Sequence, residues 1–219
     1  MKISKYIHSC LVFEKDGFKL LIDPGKFSFA EGLIKPEDFG DVSAIIITHN
    51  HPDHLDADIL NKIVELSKAD IYTNAQVSKE ILAAGLECKL IPEGDITIGP
   101  FNLKAISVKH EPLLDSPIPE MTALVIDGKV LHPVDSFEES LMAYKGIEVL
   151  ILPTMAPFTT EIKIADFADR LKPKQIFPVH DGFAKDFFRR QRYENYAKHF
   201  KQQGIVFHQP DKAGDGIEV

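Results

Sequence analysis

Apolar and polar positions divide the chain into short strand-like and helix-like runs. SCLVFEK and FKLLID flank Asp16-Gly17, a dipeptide that favours a tight hairpin. DPGKFSFAEGLIKPEDFG follows, punctuated by Gly and Pro, and predicts a loop over 23–40. VSAIIIT is β-branched and apolar on successive positions, which predicts a strand buried on both faces. DADILNKIVELSKA repeats its apolar residues at helical spacing (Ile59, Ile63, Leu66). ADIYTN then predicts a strand and QVSKEILAAG a helix stopped at Gly85. CKLIP, DITIG and FNLKAISVKH predict strands, and MTALVIDGKVLHPVDS a hairpin turning at Asp127-Gly128. EESLMAYKG predicts a short helix, EVLILPT a strand, KIADFADRLKP a helix and QIFPVHDG a strand. FFRRQRYENYAKHFKQQG predicts a long helix closed by Gly204. Strands come first and then alternate with helices, twice over, which suggests two packed sheets with helices outside.

Composition adds limits. The 219 residues suit a single domain over 1–219, and 44% apolar content is enough for a substantial core. The net charge of -8 comes without any polybasic run, so nucleic-acid binding is not favoured. Two cysteines, Cys10 and Cys88, describe no disulfide framework and predict reduced thiols in the cytoplasm. No signal peptide and no membrane-length apolar stretch is evident. Nothing in the residues specifies an oligomer.

The chemistry concentrates in THNHPDH, which follows the AIIIT run directly and places three histidines and an aspartate within six residues. Imidazoles and carboxylates are costly to bury together unless something pairs them, and a metal ion is the simplest partner. His49 and His51, two apart in an extended segment, point the same way and can share one ion. Pro52 turns the chain, so Asp53 and His54 can face a second. A catalytic metal needs about three protein ligands and an open position, so the loop requires distant residues. His110, Asp135 and His180 each stand where an apolar strand stops, the place where a rigid sheet holds functional side chains. Asp135 can equally be read as a helix cap before FEES, with Ser136 competing. His8, ahead of the first apolar strand, reads either as a substrate contact or as a packed histidine, and His132 as structural. His199 and His208 read as surface residues. Phe27, Phe29 and Phe158 lie on loops and could line an apolar pocket mouth.

THNHPDH resembles the HxHxDH motif of the metallo-β-lactamase superfamily of hydrolases. Asp23 in LLIDPG, His110 in SVKHEP, Asp135 in LHPVDS and His180 in FPVHDG match the rest of that pattern in order. The opening YIHSCLVFEKDGFKLLIDP resembles the lactonase-like branch that includes ascorbate-6-phosphate lactonase. The resemblance implies an α/β fold, a four-layer αββα sandwich. It implies two divalent metal ions, Zn first, with Mn or Fe suiting the same ligands. The first would take His49, His51 and His110, the second Asp53, His54 and His180, and Asp135 would bridge them. Asp23 would orient a ligand or the loop. One departure is visible: the family usually has Gly before the bridging aspartate, and here Val134 stands there.

The implied activity is hydrolysis by a metal-bridged hydroxide, with Asp53 and His8 as the side chains of direct catalytic interest. His51, where iron redox relatives carry Glu, points to hydrolysis. The substrate expected is a small ester, lactone or phosphorylated metabolite, chosen by loops 25–40, 111–120 and 154–163. Two alternatives remain. A phosphodiesterase or nuclease would need cations near the metals, with Lys26, Lys109 and Lys163 as sparse candidates. A non-catalytic metal-binding protein would be expected to have lost ligands.

Overall fold

The computed structural model describes all 219 residues. In chain order the first half gives β1 (Lys2–Lys5), β2 (Leu11–Lys15), β3 (Phe18–Ile22), α1 (Lys26–Phe29), β4 (Ala44–Ile47), α2 (Ala57–Ser67), β5 (Asp70–Thr73), α3 (Ala75–Ala83) and β6 (Lys89–Leu90). The second gives β7 (Gly94–Ile98), β8 (Phe101–Lys109), β9 (Glu120–Ile126), β10 (Val130–His132), β11 (Val149–Pro153), α4 (Glu161–Leu171), β12 (Gln175–Val179), α5 (Asp186–Lys201), β13 (Val206–Phe207) and β14 (Gly216–Glu218). Two seven-stranded sheets result, in the orders β14-β1-β2-β3-β4-β5-β6 and β13-β12-β11-β10-β9-β8-β7.

The continuous apolar runs follow from burial on both faces. Leu20, Ile22, Ala44 and Ile46 point between the sheets, where they meet Leu124, Ile126, Val149, Ile151 and Phe177. Leu21, Ile45 and Ile47 point outward to Leu60 and Ile63 of α2 and to Val77 and Ile81 of α3. On the other sheet Leu150, Leu152 and Ile176 point outward to Phe167 of α4 and Tyr196 and Phe200 of α5. The layers are therefore helix, sheet, sheet, helix, the expected sandwich. Asp56 caps α2 by accepting from the backbone N–H of Asp58 and Ile59.

Several elements differ from expectation. The predicted helix over EESLMAYKG is a 3₁₀ segment, Glu139–Tyr144, and the 23–40 loop contains α1 and a 3₁₀ turn, Pro36–Phe39. β1, β13 and β14 were not foreseen; each has two to four residues. β1 pairs with β14 across almost the whole chain, Lys2 opposite Glu218. Cys10 is buried and Cys88 partly so, and both are unpaired. No helix is long and apolar enough to cross a membrane.

Candidate metal centre

β4 ends at Ile47, β8 at Lys109, β10 at His132 and β12 at Val179, and the side chains that follow these ends meet at one edge of the sandwich. Two groups of ligating atoms form there, each with all atoms within 4.8 Å of one another: His49, His51, His110 and Asp135, and His8, Asp53, His54 and His180. The THNHPDH loop thus splits as its spacing suggests. His49 and His51 fall in one group, and Asp53 and His54, beyond Pro52, in the other.

Asp135 lies between the groups. Its Oδ2 is 3.6, 3.2, 3.5 and 3.5 Å from Nε2 of His49, His54, His110 and His180. Asp53 Oδ2 is 3.2 Å from His180 Nε2 and 3.7 Å from His54 Nε2. Most of these separations exceed a hydrogen bond but match neighbouring ligands on one ion. Atoms bound tetrahedrally at about 2.1 Å stand roughly 3.4 Å apart. Asp135 does not cap the following 3₁₀ segment, which begins after Glu138.

The outer nitrogens of four imidazoles are already engaged. His54 Nδ1 donates to Asp23 Oδ2 at 2.8 Å, and that carboxylate also accepts from Thr48 N and Thr48 Oγ1 at 2.8 and 2.6 Å. Because the Thr48 hydroxyl donates to Asp23, it accepts from His49 Nδ1 at 3.2 Å. His110 Nδ1 donates to the Glu111 carbonyl at 2.5 Å and His180 Nδ1 to the Met155 carbonyl at 2.7 Å. Each bond fixes ring and tautomer and turns Nε2 inward. Nε2 of His49, His54 and His110, and Oδ2 of Asp135, are buried with no hydrogen-bond partner. Orphaned polar atoms of this kind are costly, and this set of imidazole nitrogens around a carboxylate oxygen fits bound cations.

His8 is built the other way round. Its Nδ1 accepts from the Gly182 N–H at 3.0 Å, so the neutral ring carries its proton on Nε2 and donates to Asp53 Oδ2 at 3.0 Å. A protonated nitrogen cannot ligate, so His8 belongs to this group as a hydrogen-bond donor. It is fully buried and is not among the residues that line the cavity over the centre. Burial, with His180 nearby, lowers it to about 4.

The electrostatics of the centre favour positive charge. Asp135 lies well below the carboxylate range: burial acts upward, but the surrounding imidazoles, His180 first, outweigh it. Burial likewise lowers His180, but Asp135 and then Asp53 overcome it and raise this ring to about 10. His49 lies well below its ordinary value, from burial first and then His54, and stays in the neutral form that ligates.

Close packing brings the loops together. A Cβ on Gly25 would meet the Asp53 backbone at 2.1 Å, so the DPG loop can seat against the Asp53-His54 peptide only as glycine. Gly182 is similar: its Cβ would fall 2.7 Å from His8 Cβ.

A cavity of about 760 Å³ opens over the centre. Phe27 and Phe158 line it as anticipated, whereas Phe29 packs on Phe39 in the core. Lys26, Lys109 and Lys163 are not among its lining residues. Gln76, Leu113, Pro117 and Phe183 line it without having been singled out; only loop position could have marked Leu113 and Pro117. His132 is buried with Nε2 unpartnered and Nδ1 accepting from Val134 N at 3.3 Å. His199 bonds Asp169 at the surface, and His208, partly buried, bonds Gln175.

A model of the Beta-lactamase superfamily domain matches residues 2–180, and the chain belongs to that superfamily. It is 31% identical over 198 residues to a UPF0173 metal-dependent hydrolase of Alkaliphilus metalliredigens, spanning 82% of this chain and 85% of that one. It is 29% identical over 192 residues to Rv0786c of Mycobacterium tuberculosis, spanning 83% and 84%. The metallo-beta-lactamase fold protein YhfI of Bacillus subtilis, 18% identical, aligns with a TM-score of 0.71 over 99% of this chain and 98% of its own. The superfamily resemblance of THNHPDH therefore holds. The finer resemblance of residues 6–24 to a lactonase-like branch goes beyond what these relatives carry.

Proposed function

We propose that this metal-dependent hydrolase of the metallo-β-lactamase superfamily holds two divalent ions, zinc first, and cleaves a small-molecule ester or lactone in the cytoplasm. The carrying observation is the set of orphaned Nε2 atoms around Asp135 Oδ2. His49, His51 and His110 hold one ion, Asp53, His54 and His180 the other, and Asp135 serves both. A metal pair so held supplies Lewis acidity and a water activated near neutral pH.

The protein's own groups do the rest. Asp23 and the carbonyls of Glu111 and Met155 hold the rings in register. His8 holds Asp53 from behind. Asp53 lines the cavity. Its low carboxyl, which neighbouring imidazoles, His54 first, hold down against the upward effect of burial, is ionised at neutral pH. As a carboxylate facing the cavity it would serve as a ligand and could orient a water by accepting a hydrogen bond from it. The complete ligand set speaks against a non-catalytic role, and the absence of lysine or arginine from the cavity wall speaks against a nuclease.

The test is metal content and hydrolysis across a lactone, a thioester and a phosphodiester. Activity should require added metal, vanish with chelator, and fall by at least about 100-fold in His51→Ala. Equal rates for parent and variant would remove the reading.

A further inference from the structure

We infer that the substrate is electroneutral with an apolar body: a carboxylic ester or lactone bearing an alkyl or aryl chain, and not a phosphorylated metabolite. This rests on the hydrolytic reading above and narrows it. Beyond the ligating side chains, the cavity wall is largely Phe27, Leu113, Pro117, Pro119, Phe158 and Phe183. The Phe158 ring stands edge-on to His110 and His180, with centroids 5.0 and 5.6 Å away. Phe183 stands 5.9 Å from His180 and 6.4 Å from Phe27. An apolar collar therefore begins directly at the ligands. Phe27 and Phe183 remain 38% and 50% exposed at this concave mouth, the arrangement of a surface that awaits an apolar occupant.

A phosphate distal to the reacting bond would find no counter-charge. It carries roughly −1.5 to −2 at neutral pH and is ordinarily met by Arg or Lys. Neither lines this wall. The polar handles beyond the ligating groups, Asn50, Gln76 and Ser116, are neutral. Gln76 Oε1 accepts from the Glu120 N–H at 2.6 Å, while the Gln76 N–H donates to the Glu120 carboxylate at 3.0 Å. That reciprocal pair leaves the Gln76 amide hydrogens to donate to a carbonyl or ring oxygen. The volume, about 760 Å³, is that of a small-molecule site.

The metal-loaded protein is assayed with p-nitrophenyl acetate, butyrate, hexanoate and octanoate, and with p-nitrophenyl phosphate and bis-p-nitrophenyl phosphate. In parallel, the neutral dye N-phenyl-1-naphthylamine is bound, read by fluorescence, and displaced by methyl esters of the same acids. The expected result is kcat/KM rising with chain length, by up to about fourfold per methylene, with both phosphoesters below the acetate. Displacement should strengthen in the same order. Phe183→Ala, a half-exposed site whose truncation spares the core, should flatten both slopes. Leu66→Ala, an exposed apolar residue outside the cavity, should not. Ester hydrolysis without a length dependence, or phosphoesters preferred tenfold, overturns the inference and leaves the hydrolase standing. Length-dependent displacement without hydrolysis of any substrate supports the apolar site and overturns the hydrolase. Absence of both slopes removes the apolar site.

Discussion

Four residues around the centre have left-handed backbone: His8, Asp23, Val134 and His180, with φ of 59, 49, 56 and 65°. This costs a side-chain-bearing residue about 1–2 kcal/mol, and a β-branched one most. Val134 is the informative case. The turn into Asp135 needs positive φ at this position, a conformation that suits glycine and that valine adopts at a cost. Its side chain is buried, so both replacements lose packing. At this φ, however, the ordinary preference for alanine over glycine should invert. Val134→Gly should be more stable than Val134→Ala by about 1 kcal/mol in urea unfolding; the usual order would mean the turn is unstrained. Asp23 makes a second prediction. It accepts from three donors, Thr48 N, Thr48 Oγ1 and His54 Nδ1. An amide accepts on one atom only, so Asp23→Asn sets its NH2 against either Thr48 N or the His54 ring and loosens the loop that orients that ring. Zinc affinity, measured by competition with a chromophoric chelator, should fall by roughly 10–100-fold.

Among the elements, those with strong local patterns were legible. The apolar β4 run, α2 with its Asp56 cap, and both Asp-Gly hairpins follow from period and turn chemistry. So does the position of each site residue at a strand end, because the runs stop where the chemistry begins. What escaped depends on distant partners. β1 reads as KISK, with lysine at each end, yet Lys5 is buried and donates to both Asp181 oxygens at 2.6 Å and to Tyr193 at 2.9 Å. No local pattern predicts a lysine neutralised by an acid 176 residues away. This cluster ties β1 of one sheet to the loop after β12 of the other, and to α5, beside the Gly182–His8 contact. Burial pushes the Asp181 carboxyl up, but the Lys5 ammonium and the Tyr193 hydroxyl outweigh it, and the group lies below its ordinary value. A depressed folded pKa gives stability that is fully present above the unfolded value, about 3.9, and lost as pH falls through the folded one. Asp181→Asn should therefore flatten the fall of Tm below about pH 4. It should also cost about 3–5 kcal/mol at pH 7, because Lys5 is left buried and alone. An unchanged acid limb would show that the pair does not couple the sheets.

For the whole molecule, the sandwich brings to one edge the side chains that follow β3, β4, β8, β10 and β12. Folding therefore builds the site, and site occupancy should in turn stabilise the fold. Each ion at about 100 times its Kd adds roughly 2.7 kcal/mol, or about 5–10 °C in Tm per ion for a chain of this size. Removal of metal by EDTA should lower Tm by that order, and an identical melt with and without chelator would contradict the coupling. The most direct measurement is elemental analysis after exhaustive dialysis of zinc-loaded protein. Two ions per chain are expected in the parent. One should remain in His51→Ala, which breaks the first cluster, and one in His180→Ala, which breaks the second. Retention of no metal by the parent, or of two ions by both variants, would contradict a two-ion centre.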